Sequence, residues 1–198
     1  MLSVDVLLAL VVFALVSSLT PGPNNLMLLA SGLNFGFKKT LPHMFGVSFG
    51  FAVLLLAIGL GVAQLITIFP GFIIALKIVG GGYLTYLAYR IATAVPASGD
   101  VSNRRPMSFW AAVAFQWVNV KAWFMSVGAM AAFTDPANFL VTVVLVTLVF
   151  TMVNLPSIAL WTGFGLGLRR VLQNPRWFRW FNYLMAALLM LSLIPMLS

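Results

Sequence analysis

Cysteine is absent from this chain of 198 residues, and Asp5, Asp100 and Asp135 are its only acidic residues. The first absence excludes thiol–disulfide chemistry, thiolate metal sites and a disulfide framework. Charge of either sign is scarce, at 7% against about 25% in soluble domains. No long polar block interrupts the rest, which is 62% hydrophobic with a mean hydropathy of +1.07. A single membrane anchor on a soluble body does not fit that distribution. The expected fold is an all-α integral membrane protein, one polytopic domain over residues 1–198.

What charge there is leans one way, with eleven Lys and Arg and a net charge of +8. In a soluble chain that balance would suggest nucleic acid, but membrane proteins concentrate Lys and Arg in cytoplasmic loops, so no nucleic-acid partner is expected. Residues 1–20 resemble a signal peptide in hydropathy, yet Asp5 replaces the positive n-region and no A-x-A-like site follows. The segment is therefore read as a mature span.

A helix needs roughly 20 apolar residues to cross about 30 Å of hydrocarbon. Six transmembrane segments are expected: Val6–Ser31, Met44–Gln64, Phe72–Ala92, Phe109–Ala131, Phe139–Leu166 and Trp180–Leu197. Pro70-Gly71, Pro96, Pro106, Pro136 and Pro175 punctuate the connections, as prolines do near helix ends. Lys38, Lys39, Arg90, Arg104, Arg105, Arg169, Arg170, Arg176 and Arg179 then fall on one side, nine of the eleven basic residues. The positive-inside rule makes that side cytoplasmic and places both termini outside. The segment Arg169–Phe181, RRVLQNPRWFRWF, reads as an interfacial loop with aromatic-belt anchors.

Against this apolar background two features stand out. The first is SLTPGPNNLM, residues 18–27, at the centre of 32 uncharged residues from Val6 to Phe37. One straight helix of that length would run about 48 Å, too long for a bilayer without tilt, kink or unwinding. Pro21 and Pro23 deprive the carbonyls of Ser17 and Leu19 of helical donors, and Gly22 between them permits almost any geometry. Such backbone is tolerated at depth only where protein or a watery cavity meets it. Freed carbonyls before Pro21 suit an ammonium group, and amides from Asn24 onward suit a carboxylate, as at any helix N-terminus. A packed proline kink is the plain alternative; the adjacent amides Asn24 and Asn25 favour a site, because they demand partners in hydrocarbon.

The second feature is Lys121 in FQWVNVKAWFM, sixteen residues past Arg105 and fourteen before Asp135. A lysine at mid-depth usually faces an internal pathway, and the helix centre is the worst place for snorkelling. Gln116 and Asn119 add polar character beside it. Lys77 lies near the outer interface and snorkels instead, and His43 reads as an interfacial residue rather than a proton shuttle. The two unusual spans run in opposite directions, as the first members of an inverted 3+3 repeat do. The apolar stretches after Asn24 and Asn119 end similarly, at Ser31-Gly32 and Ser126-Val127-Gly128. Gly46-x-x-x-Gly50 and Gly80-Gly81-Gly82 suggest close helix contact. Asn154, Pro156 and Ser157 suggest a further kink with a polar lining, and Tyr83, Thr85 and Tyr86 either face a cavity or bridge helices.

TPGPNN, then GFKKTLPHMFGVSFGF and the lysine segment of span four, resemble the lysine/homoserine–threonine exporter family across essentially the whole chain. RPMSFW, FQWVNVK and GGGYLTYLAYRIAT look most like the branch that exports cysteine and O-acetylserine. The family's fourth span reads Asn-Pro-Lys; here Asn119-Val120-Lys121 lacks the proline, which leaves that span either continuous or broken. The resemblance implies a secondary transporter of the bacterial cytoplasmic (inner) membrane, exporting amino acids or close derivatives by proton antiport. Small neutral substrates such as cysteine, O-acetylserine, homoserine or threonine are expected. The substrate-binding residues expected are Pro21, Gly22, Pro23, Asn24, Asn25, Gln116, Asn119 and Lys121.

The partners expected are the amino acid, protons and membrane lipid, with a homo-oligomer left open. A metal-cation exporter of related fold would want several Asp, Glu, His or Cys ligands in the membrane, and none lies at mid-depth. No HExxH, paired aspartates or cysteine nucleophile supports an enzyme, and neither metal nor cofactor is expected. A non-transporting membrane subunit leaves Lys121 and the two prolines without a role.

Overall fold

The computed structural model describes residues 3–64, 68–69, 71–94, 105–172 and 174–194. Pro70, Pro96 and Arg104, and the end of the sixth expected span beyond residue 194, lie outside them. Among the described residues every regular element is helical: α1 (Val4–Leu19), α2 (Pro23–Phe35), α3 (Phe37–Ala57), α4 (Gly71–Ala92), α5 (Phe109–Val118), α6 (Val120–Phe133), α7 (Phe139–Val171) and α8 (Pro175–Leu191). α3 runs into a π turn at Ile58–Val62, and a 3₁₀ turn, Pro136–Asn138, precedes α7. Three helical stretches, Phe37–Val62, Gly71–Ala92 and Pro136–Leu168, are long and apolar enough to cross a membrane, and the bent pair α1–α2 makes a fourth.

Local sequence explains where these helices start and stop. Ser3 Oγ accepts from the Val6 amide, Ser108 Oγ from Ala111 and Asn174 Oδ1 from Arg176, N-caps each worth about 1 kcal/mol. Pro23 and Pro175 occupy first-turn positions, where a missing N–H costs nothing. Gly36 alone joins α2 to α3 at φ 81°, a conformation other residues adopt only with strain. The second expected span thus begins at Phe37 rather than Met44, with Lys38 and Lys39 exposed in its first turn. The expected interfacial loop ending at Phe181 is likewise helical from Pro175, because Asn174 and Pro175 start a helix there.

Large exposed apolar side chains on α1, α4, α7 and α8, among them Leu8, Val16, Ile78, Met152 and Leu184, present an outer face suited to lipid rather than water. Between helices, small residues set the distance. A Cβ on Gly32 would strike the Thr162 carbonyl and one on Gly165 the Leu29 carbonyl, so α2 and α7 touch backbone to backbone. Gly46 and Gly50 press on Phe109 and Val113 in the same way, holding α3 against α5. Gly82, by contrast, has open space around it among the described residues, so the triple glycine is not uniformly a contact stripe there.

Most polar residues inside this bundle satisfy themselves. Thr85, Thr147, Thr151, Ser157 and Thr162 return their hydroxyls to carbonyls four residues back. Thr85 therefore bonds within its own helix rather than to a neighbouring one, and it is exposed. His43 departs from its interfacial reading: it is 2% exposed, and neither ring nitrogen finds a partner among the described residues.

Candidate functional site

At Thr20–Gly22 the chain leaves the helix, and α2 departs at 56° from α1. Losing the helical register strips the carbonyls of Ser18 and Thr20 of their donors. The protein refills them from elsewhere: Asn25 Nδ2 donates to Ser18 O at 2.8 Å and to Thr20 O at 2.9 Å. Lys121 Nζ donates to Thr20 O at 2.7 Å, reaching across from the fourth expected span. Gly22 is extended, at φ −172° and ψ 177°, so its backbone does not require glycine. Its surroundings do. A Cβ there would lie 2.7 Å from Lys121 Cδ and 3.0 Å from Nζ.

The fourth expected span is broken too. α5 ends at Val118, Asn119 sits at φ −86° and ψ 98°, and α6 begins at Val120. No proline forces this. The break frees the Trp117 carbonyl, which accepts instead from the Trp123 indole Nε1 at 3.0 Å. Asn119 O accepts from the Ala122 and Trp123 amides and opens the new helix. A reciprocal amide pair ties the two breaks together: Asn24 Nδ2 donates to Gln116 Oε1 at 2.8 Å, and Gln116 Nε2 to Asn24 Oδ1 at 3.2 Å.

One cavity, with about 30 Å³ of free space, lies where the breaks meet. Gly22, Asn24 and Asn25 line it from the first break, Asn119 and Lys121 from the second, and Asn154 from α7. Among the described residues no side chain caps the N-terminus of α2 or of α6, so two positive helix ends and one ammonium group converge there. Lys121 is half-buried and meets no carboxylate among the described residues. The wall also holds the opposite character: Asn119 Oδ1 and Asn154 Oδ1 are buried acceptors without a donor among the described residues. An unmet buried acceptor costs about 1–3 kcal/mol, so both oxygens still require a donor. The free space holds water but nothing larger, because Lys121 lies along Gly22 and fills it.

Of the eight residues singled out in the sequence, Gly22, Asn24, Asn25, Asn119 and Lys121 line this cavity. Pro21 and Pro23 flank the break without lining it, and Gln116 is buried behind the wall, bonded to Asn24. Sequence reasoning did not assign Ser18 or Thr20 to the site, and it read Asn154 as the polar lining of a further kink rather than of this cavity. Thr20 contributes a backbone carbonyl, for which residue type gives no signal, whereas Ser18 adds to its carbonyl a hydroxyl that accepts from Asn154 Nδ2 at 3.4 Å. Asn154 gave one, an amide in an otherwise apolar span two residues before Pro156. Among the described residues no group of three His, Cys, Asp or Glu comes together.

The cysteine/O-acetylserine efflux protein of Escherichia coli (strain K12) is 38% identical to this chain over 125 residues. Its namesake in Shigella sonnei (strain Ss046) matches equally. Each alignment covers 63% of this chain and 63% of the relative, just under two thirds of those proteins' length. No solved structure matches significantly. The LysE type translocator family matches over residues 15–193, nearly the whole chain and both breaks. With its apolar helices, this chain therefore belongs to the LysE type translocator family and is a multi-pass protein of the bacterial inner membrane.

Proposed function

We propose that this protein is a secondary transporter that exports small neutral amino acids or close derivatives, cysteine and O-acetylserine among them, from the cytoplasm. One observation carries the reading: a single cavity offers an ammonium and two uncapped helix N-termini beside two unpartnered amide oxygens. An amino acid is a zwitterion and needs both surfaces within a few ångströms. Its carboxylate goes to Lys121 and the amides at Asn24 and Asn25. Its ammonium goes to Asn119 Oδ1 and Asn154 Oδ1, since Asn25 and Lys121 already occupy the Ser18 and Thr20 carbonyls. Binding then requires Lys121 to turn from Thr20 O toward the carboxylate, which empties the space along Gly22.

The same reading takes residues 1–198 as one domain of six spans with both termini outside. The pairs α1–α2 and α5–α6 each count as one interrupted span, and α3, α4, α7 and α8 complete the set. An inverted 3+3 repeat is supported by the exchange of partners. α1 and α2 pack along α7, α5 and α6 along α3, and α4 along α8. Each half's broken helix thus rests on the middle helix of the other, so rocking of one half against the other opens the cavity to alternate sides. Coupling to protons falls to Lys121, the one titratable side chain among the described residues lining the cavity.

Efflux from vesicles loaded with a panel of amino acids, with and without an imposed pH gradient, tests this reading. Selective efflux of small neutral zwitterions, accelerated by the gradient and lost in Lys121→Met, is expected. Equal efflux by Lys121→Met would remove the lysine from the mechanism.

A further inference from the structure

A second cavity, of about 320 Å³, opens at the arginine-rich end of the bundle. It is the size of ordinary small-ligand pockets, whereas the central one is not. Arg90 at the end of α4 and Arg105 ahead of α5 line it, with Tyr83 and Tyr86 of α4 and Ser31 of α2. His43 of α3 lines it as well. That side chain is almost wholly buried, and both its ring nitrogens lack partners among the described residues. A buried imidazole with two unmet nitrogens is costly for mere packing, and its position on this wall gives the missing partner a place to sit.

We propose that this cavity is a loading site, which takes the carboxylate of the exported amino acid on Arg90 and Arg105 before it passes to the central cavity. The proposal rests on the export reading above. Guanidinium groups suit it because their planar donors match a carboxylate two bonds at a time. His43 and Ser31 then meet the polar groups at the other end of the molecule. The route inward is drawn by α2, which lines both cavities, and by α5, which lines the outer one and ends next to the central one. On α2, Asn24 faces the central cavity, whereas Met27, Ser31 and Asn34, three, seven and ten residues on, face the outer one. That spacing keeps them on one helical face, about 15 Å from end to end. Ser108, the N-cap of α5, and Ala111 within it line the outer cavity, and Asn119 beyond its end lines the central one. Between them Phe115, 1% exposed, packs its ring 5.6 Å from that of Tyr83. Met27 and Phe115 are thus the apolar barrier a substrate must displace to move from loading to binding.

Calorimetric titration of the full chain in phosphatidylcholine nanodiscs with O-acetyl-L-serine tests the proposal. Lys121→Met should lose the central event but keep a weaker one. Adding Arg90→Gln and Arg105→Gln to Lys121→Met should weaken that residual event about tenfold or more, the worth of a charge-assisted hydrogen bond. His43→Phe in the Lys121→Met background supplies an independent probe of the same wall and should weaken it as well. If wild type binds and Lys121→Met binds nothing, no loading site exists, and the central reading stands. If the residual event ignores the arginine substitutions, the loading site is likewise overturned. Failure of wild type to bind overturns the export reading and the loading site with it. Mass spectrometry of the intact complex covers the other source of an anion. Phosphatidylglycerol held by wild type and released by Arg90→Gln/Arg105→Gln, with no residual substrate event, would assign the cavity to a lipid headgroup and overturn the proposal.

Discussion

The two interruptions meet at one cavity, yet they are built by different means. At Pro21-Gly22-Pro23 the covalent chemistry of proline breaks the helix, and Asn25 doubles back to cap the exposed carbonyls. At Asn119 no residue forbids a helix; one extended residue interrupts it, and the Trp123 indole takes up the Trp117 carbonyl. The first break is enforced by the chain and the second by its surroundings. The first supplies a carbonyl for a cation to rest on, and the second supplies that cation.

Replacing Lys121 has the largest expected effect, because it removes the only charge among the described residues lining the cavity. Lys121→Met should reduce export by on the order of 100-fold or more while the protein remains in the membrane, as quantitative efflux with a membrane-fraction blot would register. Next come the two orphan acceptors. Asn119→Leu and Asn154→Leu should each weaken substrate binding about tenfold, read as half-saturating concentration in vesicle efflux. If only Asn119→Leu does so, Asn154 merely packs.

Stability then separates the two breaks. Asn25→Leu removes two hydrogen bonds and should cost about 2–3 kcal/mol, whereas Trp123→Phe removes one and should cost about 1 kcal/mol, compared by unfolding in detergent. Equal costs would show that both breaks lean on their capping side chains alike. Val120→Pro should be tolerated. Asn119 already holds the extended backbone that precedes a proline, and position 120 is the first of α6, where proline fits. Export by that variant should stay within about twofold of wild type, given that proline at N1 displaces no helical hydrogen bond. A large loss would mean that the second break must flex.

The smallest expected effect concerns Asp135, at the turn before α7. Hydrogen bonds from Asn138 and then from the Ala137 amide hold its carboxyl below the usual 3.8. A depressed folded value contributes stability above the unfolded value and loses it only as pH falls through the lowered one. Acidification to about pH 5 should therefore leave this turn ordered, as amide exchange at Ala137 would report.

What could be read beforehand follows the same division. Pro21 and Pro23 act through covalent geometry, so the first break was legible to within a residue or two. The second depends on a Trp123 indole four residues beyond the gap and on the pairing of Gln116 with Asn24, tertiary facts that no local pattern encodes. Lys121 was legible because charge is expensive at depth. Asn154 gave a local signal, but its distance from the breaks along the chain hid that α7 lies against α1 and α2. His43 was misread because seven residues of α3 precede Met44, carrying the helix past the expected start of the span and turning the imidazole inward.

The account is tested most directly by competition for efflux between an amino acid and its two singly neutralised forms. O-acetyl-L-serine should be displaced by L-cysteine but neither by L-cysteinamide, which lacks the carboxylate, nor by N-acetyl-L-cysteine, which lacks the ammonium. Effective competition by either neutralised form would contradict a site that grips both ends of a zwitterion.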